Sequence, residues 1–312
     1  MAALSPLPIR LAIVGLGKIA RDQHLPALRA NPAFEVAATV CPYGATADGI
    51  PGFVTLGDCL AAGVALDAVS ICTPPQVRHR LALEALDSGL HVLLEKPPAA
   101  TVAEAGSLAD RATQAGLSIF AAWHSRFAPG VEPAREWLAG RRILRAGITW
   151  REDVRVWHPG QAWIWQAGGF GVFDPGINAL SIATEILPGP IELSDAELEF
   201  PANCEAPIAA RLSLSAAGAP IAVDLDFRQT GPQTWDIEVE TDSGTLLLSR
   251  GGAVLTLPDG TREAPDAEYP ALYARFAELI RAESSEMDTT PLELVADALT
   301  RGRTIRTDPF HD

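Results

Sequence analysis

A strand-like segment and the glycine-rich turn after it constrain the fold more than any other feature of this chain. Residues Arg10–Val14 are mostly apolar and indicate a buried strand, which runs directly into Gly-Leu-Gly-Lys-Ile-Ala at residues 15–20. A helical stretch follows as far as Leu28, and Phe34–Val40 indicates a second strand. This strand–turn–helix–strand order is the setting that a dinucleotide-binding fingerprint requires.

Each position of this G-x-G-x-x-A turn has a physical task. Gly15 permits the tight turn, Gly17 lets a pyrophosphate approach the backbone, and Ala20 allows the helix to pack closely against the strand. Lys18 and Ile19 complete the turn, where the first N–H groups of the helix are available to phosphate oxygens. We therefore predict that these five residues bind a dinucleotide.

The end of the second strand leaves the choice of nucleotide open. An acidic residue there would bind the ribose 2′-hydroxyl, and a nearby arginine would accommodate a 2′-phosphate. This chain has Cys41-Pro42-Tyr43-Gly44 after Val40, which supplies neither signal. Cys41 is therefore assigned to the nucleotide site by its place alone, and NAD and NADP are both candidates.

Strands and helices keep alternating, which predicts a parallel, doubly wound sheet within a first domain at residues 1–125. The further strands are Ala68–Cys72, Val92–Leu94 and Leu117–Trp123, and the helices are Val77–Ser88 and Thr101–Ala115. Ligands of such sheets bind outside the carboxyl ends of the strands. The residues at these ends are Thr73 and Pro74, then Glu95 and Lys96, and finally His124.

Lys96 combines a strand end with an unusual composition. Pro97 and Pro98 prevent the strand from continuing, and Lys18 and Lys96 are the only lysines among 24 lysine and arginine residues. A lysine can be tuned to release a proton near neutral pH, whereas an arginine cannot. Lys96 is therefore a candidate acid–base group, and the alternative is an ordinary surface lysine before a turn.

The second part of the chain, residues 126–312, predicts a mainly antiparallel sheet with closing helices at Ala271–Ala282 and Leu292–Arg301. The strand-like stretches are 145–157, 191–200, 207–215, 220–229, 234–241 and 244–250. The apolar alternation in 207–215 and 220–229 needs a cover, which predicts a homo-oligomer joined through the open face of this sheet.

A tryptophan-rich window at residues 150–165 predicts a sugar site. In a strand over 148–158, Trp150, Glu152, Val154, Val156 and His158 would share one face. A carboxylate and an imidazole suit sugar hydroxyls, and indoles stack on the C–H face of a sugar ring. The alternative is that the tryptophans belong to the core or to an oligomer contact.

Asp174 begins an apolar helix that the sequence extends to Leu187. With Pro175 behind it, Asp174 has the pattern of an N-cap followed by a proline at the first helical position. Asn178 follows four residues later and so lies on the same helical face. Asp174 is a candidate to accept a proton or to orient Lys96, and a capping role alone would also explain it.

Composition narrows the class of partner. A net charge of −15 and a pI near 4.8 argue against nucleic acid and anionic membranes. The four cysteines are widely spaced, which predicts neither a zinc site nor a disulfide framework. The prolines near the start do not suit a signal peptide and no apolar run has the length of a membrane span, so we expect a cytoplasmic protein.

The motifs in this order resemble the Gfo/Idh/MocA family of oxidoreductases over nearly the whole chain. They are the glycine fingerprint at Gly15, Thr73-Pro74-Pro75, Glu95-Lys96-Pro97 and the segment from Asp174 to Asn178. The resemblance implies a Rossmann domain, a second α/β domain with an open sheet, and NAD or NADP as cofactor. The family lysine falls on Lys96. Many members have a histidine where this chain has Asn178, so that base is excluded here.

Within the family, the chain is similar to the bacterial aldose 1-dehydrogenases that act on D-galactose and L-arabinose. The shared segments are residues 15–26, Trp123-His124, and Glu152 with Trp157-His158. The resemblance implies that the sugar-binding residues are Lys96, His124, Glu152, Trp157, His158, Asp174 and Asn178. It also implies oxidation of C1 of a pyranose to the aldonolactone, with Lys96 and Asp174 as the catalytic pair.

Two other functions remain open from sequence. One is a different sugar, amino-sugar or inositol dehydrogenase of the same family. The other is a catalytically silent nucleotide-binding regulator on the same fold, against which the intact Lys96 and Asp174 count.

Overall fold

The computed structural model describes residues 7–311 and divides into two compact units. The first unit runs to Ala122 and also contains Tyr269–Thr289, and the second comprises Trp123–Glu268 with the residues from Thr290 onward. The helix that contains Tyr269 therefore belongs to the first unit, whereas the sequence analysis placed it in the second domain. Its aromatic face explains this, because Tyr273 and Phe276 pack against Phe34 of the first unit.

The first unit is built from alternating strands and helices, as the sequence predicts. Its elements before residue 123 are β1 (Ile9–Val14), α1 (Leu25–Ala30), β2 (Phe34–Val40), β3 (Gly52–Phe53), α2 (Leu56–Ala61), β4 (Ala68–Ile71), α3 (Pro75–Asp87), β5 (His91–Glu95), α4 (Val102–Ala115) and β6 (Ile119–Ala122). A π-helical turn at Ala20–His24 leads into α1. The six strands pair in parallel in the order β3-β2-β1-β4-β5-β6.

Local chemistry sets where these elements begin and end. Helix α4 begins after Thr101, whose side chain accepts a hydrogen bond from the Glu104 N–H, and it ends at Gly116 in the left-handed conformation. Strands β4 and β6 are buried along their whole length, as expected of central strands covered on both faces. This arrangement brings the carboxyl ends of the strands to one edge of the sheet.

The second unit contains a nine-stranded sheet and several helices. Its elements are α5 (Val131–Leu138), β7 (Ile143–Arg151), α6 (Val154–Trp157), α7 (Phe173–Ile186), β8 (Ile191–Pro201), β9 (Ala209–Ala216), β10 (Ala219–Asp226), β11 (Thr234–Thr241), β12 (Gly244–Ser249), β13 (Val254–Leu257), β14 (Gly260–Glu263), α9 (Thr290–Arg301) and β15 (Arg303–Thr307). Helix α8 (Glu268–Arg281) connects the two units in sequence. The strand order is β14-β13-β12-β11-β7-β10-β9-β8-β15, and only the β10–β7 and β15–β8 pairs are parallel.

The apolar faces of β9 and β10 find their cover inside the unit. Leu212, Leu214, Ile221 and Val223 are buried, and helices α7 and α9 pack on this side of the sheet. The opposite side of the two strands alternates with exposed or half-exposed residues such as Arg211. The argument that these strands need a second copy to cover them was therefore wrong, because the chain supplies the cover itself.

The predicted strand over 148–158 stops early. Strand β7 ends at Arg151, and residues Val154–Trp157 form a single helical turn. Asp153 causes the change, because its side chain accepts a hydrogen bond from the N–H of Arg155 at 3.0 Å and so caps the turn. The prediction that Val154 and Val156 share a strand face with Glu152 was therefore wrong.

Helix α7 begins one residue before the predicted cap. Its N-cap is Val172, Phe173 is the first helical residue, and Asp174 is the second. The N–H of Asp174 already donates to the carbonyl of Gly171 at 2.9 Å, so the turn is formed before Asp174. Asp174 therefore lies in the first turn, where the helix dipole favours an ionised carboxylate, but it is not the N-cap.

Candidate active site

The carboxyl edge of the parallel sheet collects the predicted nucleotide residues of the first unit. The adjacent strands β2, β1, β4 and β5 end at this edge. The N–H of Gly15 donates to the carbonyl of Val40 at 2.8 Å, and the N–H of Cys72 donates to that of Val14 at 2.8 Å. These bonds hold the glycine turn beside the segment that leads to Thr73.

Two glycines of the turn have different tasks. Gly15 has a φ of +92°, and a Cβ there would lie 2.8 Å from Thr73 Cγ2, so the close approach of the two loops requires a glycine. A Cβ at Gly17 would have no atom of the described chain within 4 Å. Gly17 therefore leaves an open cradle, with Lys18 and Ile19 beginning the helix beside it. This cradle fits the pyrophosphate of a pyridine nucleotide.

Replacing Gly17 with valine tests this cradle. The branched side chain would occupy the space that a pyrophosphate needs, so we expect the nucleotide Kd to rise at least about tenfold, or ~1.4 kcal/mol. Gly106→Val is a matched control, because Gly106 lies in α4 and its Cβ would also meet open space. Calorimetry that finds an unchanged nucleotide Kd for Gly17→Val would place the nucleotide elsewhere.

The neighbouring residues differ from expectation in two respects. Cys41 is 5% exposed, so its thiol faces the interior and its backbone alone is available to a ligand. Arg21, which the sequence analysis did not consider, donates from Nη2 to the carbonyl of Thr46 at 3.3 Å in the loop after β2. An arginine therefore does reach the region where a 2′-phosphate would lie, although none follows Val40 directly.

Glu95 is the centre of a buried polar cluster in the first unit. Its Oε1 accepts hydrogen bonds from His24 Nε2 at 2.9 Å and from the Tyr269 hydroxyl at 2.6 Å. Its Oε2 accepts the Lys96 N–H at 2.9 Å. The predicted nucleotide residue Glu95 is 4% exposed, so the structure gives its carboxylate the task of holding the backbone of Lys96.

His24 completes this cluster from the π-helical turn. Its Nδ1 lies 2.7 Å from the Tyr273 hydroxyl, which in turn lies 2.9 Å from Ser70 Oγ. Burial opposes charge on His24, but Cys72, Tyr273 and the hydrogen bond to Glu95 outweigh it and hold the pKa of His24 well above its usual value. The arrangement is that of an imidazolium donating to a carboxylate and to a phenol oxygen.

The second unit contains a separate cluster around Glu152. The carboxylate is 1% exposed, and its Oε1 lies 2.9 Å from His158 Nε2. Its Oε2 accepts the indole N–H of Trp235 at 2.8 Å. The turn of α6 brings Glu152 and His158 together even though they do not share a strand face.

One nitrogen of this cluster is available to a ligand. His158 Nδ1 is buried, has no hydrogen-bond partner among the described residues, and lies 3.7 Å from Asp174 Oδ2. Asp174 is 5% exposed, and Asn178 is half-buried one turn further along α7. Buried polar atoms are normally satisfied, so the unsatisfied Nδ1 indicates a place for an added polar group such as a sugar hydroxyl.

Aromatic rings border the cluster. Trp150 is 4% exposed and stacks on Trp235 with ring centroids 5.7 Å apart, so Trp150 is a core residue. Trp157 is 39% exposed and its ring lies 4.7 Å from that of Trp235. Trp157 is therefore the tryptophan of this group with the largest accessible face.

Trp235 is a residue that the sequence analysis missed, and it carries a testable contact. Trp235→Phe keeps the ring stacking but removes the N–H that Glu152 accepts. A hydrogen bond to a charged group contributes about 1.5–3 kcal/mol, so we expect kcat/KM for the sugar to fall roughly tenfold to a hundredfold. Trp137→Phe on α5, where the ring packs under Arg141, is the control, and equal values for the two variants would contradict the role.

His124 lies just after β6 and has an acidic partner of its own. Its Nδ1 lies 2.5 Å from Glu268 Oε2 and 3.3 Å from Ser125 Oγ. The side chain is 15% exposed. The carboxylate of Glu268 fixes the orientation of the imidazole, which presents its other nitrogen for a further contact. Nothing in the local sequence indicated Glu268, because it is separated from His124 by 144 positions.

Two other classes of site were searched for among the described residues. No group of three histidine, cysteine or acidic side chains in residues 7–311 is arranged to hold a metal ion. Over the same range, the helices lack the combination of length and apolar character that crossing a membrane requires. All four cysteines are free thiols.

Comparison with known proteins identifies the relatives of this chain. Residues 9–122 match the model of an oxidoreductase family with an NAD-binding Rossmann fold. The chain is 45% identical to a galactose 1-dehydrogenase from Pseudomonas fluorescens over 309 residues, which cover 98% of this chain and 99% of the relative.

Solved structures give the same picture. A D-galactose-1-dehydrogenase from Rhizobium etli superposes with a TM-score of 0.94 at 51% identity, covering 99% of this chain and 100% of the other. KijD10, a 3-ketoreductase from Actinomadura kijaniata, superposes at 0.84 with 21% identity, covering 96% and 99% of the two chains, which shows the shared fold alone. The glycine turn, the two-unit architecture and the near full-length similarity together show that this chain belongs to the Gfo/Idh/MocA oxidoreductase family with an NAD-binding Rossmann fold.

Proposed function

We propose that this protein is an NAD(P)-dependent aldose 1-dehydrogenase that oxidises C1 of a pyranose such as D-galactose or L-arabinose to the aldonolactone. The observation that carries the substrate is the cluster of Glu152, His158 and Asp174 beside Trp157. It combines two buried carboxylates, an unsatisfied imidazole nitrogen and an accessible indole face. Sugars require this pairing of polar groups and an aromatic surface. Similarity to galactose 1-dehydrogenases over nearly the full length supports it.

The residues would share the work as follows. The bound pyridine nucleotide supplies the acceptor for the C1 hydride. Lys96 or Asp174 accepts the proton of the anomeric hydroxyl, so that the C1–O bond becomes the carbonyl of the lactone. His124, Glu152, His158 and Asn178 bind sugar hydroxyls and fix the ring in one orientation.

Specificity between the two sugars follows from what they share. D-Galactose and L-arabinose have the same ring stereochemistry and differ by a hydroxymethyl group. Rejecting an added group at an open edge requires a specific clash, so we propose that one pocket accepts both. Arg21 near Thr46 supports acceptance of NADP beside NAD.

The setting of the enzyme is also proposed. Its free thiols suit the reducing cytoplasm. We propose a homo-oligomer joined through the open face of the nine-stranded sheet, where Arg211 and Asp224 lie exposed or half-exposed. A monomer mass by light scattering at micromolar concentration would contradict this assembly.

A substrate panel tests the proposed function. Reduction of NAD and NADP is followed with D-galactose, L-arabinose, D-xylose, D-glucose and myo-inositol, and with methyl β-D-galactoside as the matched control. The glycoside keeps every ring hydroxyl except the anomeric one, so we expect turnover of D-galactose and none of the glycoside. Equal turnover of the glycoside or a preference for inositol would contradict oxidation at C1. Nucleotide binding without turnover of any sugar would indicate a regulator.

A further inference from the structure

A buried arginine joins the two loops that carry the candidate cofactor and proton-transfer residues of the first unit. Arg78 lies in α3, and the residue is 3% exposed. Its Nη1 donates to the carbonyls of Glu95 and Pro97, and its Nη2 donates to the carbonyl of Thr73. The planar guanidinium presents its donors in a fixed fork, so one side chain fixes three carbonyls at once.

These three carbonyls surround Lys96 in the sequence and in space. Glu95 and Pro97 are its two neighbours, and the N–H of Lys96 itself donates to Glu95 Oε2 at 2.9 Å. The backbone of Lys96 is therefore held on both sides, by Arg78 through its neighbours and by the Glu95 carboxylate directly. The third carbonyl belongs to Thr73, in the loop that packs against Gly15.

A buried guanidinium is an expensive way to stabilise a fold. Taking a charge out of water costs several kcal/mol, and apolar residues often stabilise a core as well or better. Arg78 spends its donors on loop carbonyls at the carboxyl edge of the sheet, where ligands of this fold bind. This location favours a role in the site over a role in the core.

We propose that Arg78 is a positioning residue that sets the place of Lys96 relative to the nucleotide loop at Thr73. The proposal rests on the proposed role of Lys96 in proton transfer. Small misplacements of a reacting group can cost on the order of a hundredfold in rate. Loss of the fork should therefore lower turnover more than it weakens nucleotide binding.

Arg78→Lys is the first variant, because it keeps the positive charge but cannot bond three carbonyls from one plane. We expect kcat to fall about tenfold to a hundredfold, with a smaller change in the nucleotide Kd. Arg80→Lys is the matched control on the same helix, where the side chain is 74% exposed and lies 3.8 Å from Glu84. We expect its kcat to stay within about twofold of the native value.

A double-mutant cycle with Lys96→Arg separates positioning from simple stabilisation. If Arg78 acts through Lys96, Arg78→Lys should cost less than about threefold in kcat in the Lys96→Arg background. An equal loss in both backgrounds, or a lower Tm with unchanged kcat, would overturn the proposal. Should Arg78→Lys not fold, Arg78→Gln goes through the same cycle. Near-normal turnover of Lys96→Arg alone would instead contradict the proposed role of Lys96.

Discussion

Lys96→Arg is expected to lower turnover at least about 100-fold, the lower range for the loss of an acid–base group. The arginine keeps the positive charge but cannot accept or release a proton near neutral pH. The backbone position should be retained, because Glu95 holds the N–H of residue 96 and any side chain leaves that N–H in place. The measurement is steady-state kcat with D-galactose and saturating nucleotide.

Nucleotide binding by the same variant is the internal control. Lys96 lies outside the glycine turn, so we expect the nucleotide Kd to change far less than kcat. Asp174→Asn is the companion variant, because it removes the other candidate proton acceptor. Near-normal kcat for Lys96→Arg would show that the lysine supplies only charge, and would leave Asp174 as the proton acceptor.

His24→Leu is expected to lower the free energy of unfolding by about 3–5 kcal/mol, the range for breaking one side of a buried pair. The variant removes the donor to Glu95 Oε1 and the partner of the Tyr273 hydroxyl. Glu95 would remain buried with less compensation. Urea unfolding measured near pH 6 gives the value, and His79→Leu is the control because His79 has only an exposed contact with Ser107.

The pH dependence has a defined sign. The folded-state pKa of His24 is raised above its unfolded value of about 6.5. The stabilising contribution is therefore complete below about pH 6.5 and is lost as the pH rises through the raised folded pKa. The stability difference between native protein and His24→Leu should narrow at alkaline pH, and a difference that widens instead would contradict the charged state of His24.

The fold of the first unit was predictable because its signals are local. The run from Arg10 to Val14, the glycine turn and the proline stop after Lys96 each depend on a few adjacent residues. The parallel sheet and the membership of the oxidoreductase family are confirmed. The carboxyl-edge rule then brought Gly15 and Thr73 to one place without any knowledge of contacts.

The parts that sequence did not predict depend on distant contacts. Tyr269 bonds Glu95 across 174 positions, and Trp235 bonds Glu152 across 83. No periodicity connects such pairs. The strand over 148–158 failed for a local reason, because Asp153 caps a helical turn that alternation alone cannot reveal. The roles of the predicted sugar residues stay predictions.

Transfer of deuterium from C1 of the sugar tests the central claim most directly. D-Galactose labelled with deuterium at C1 is incubated with the enzyme and the preferred nucleotide, and both products are examined by NMR and mass spectrometry. The account predicts that the deuterium appears on the reduced nicotinamide and that the sugar product is an unlabelled lactone. Reduced nicotinamide without deuterium, together with a sugar product that still carries it, would place the oxidation at another ring carbon and contradict the account.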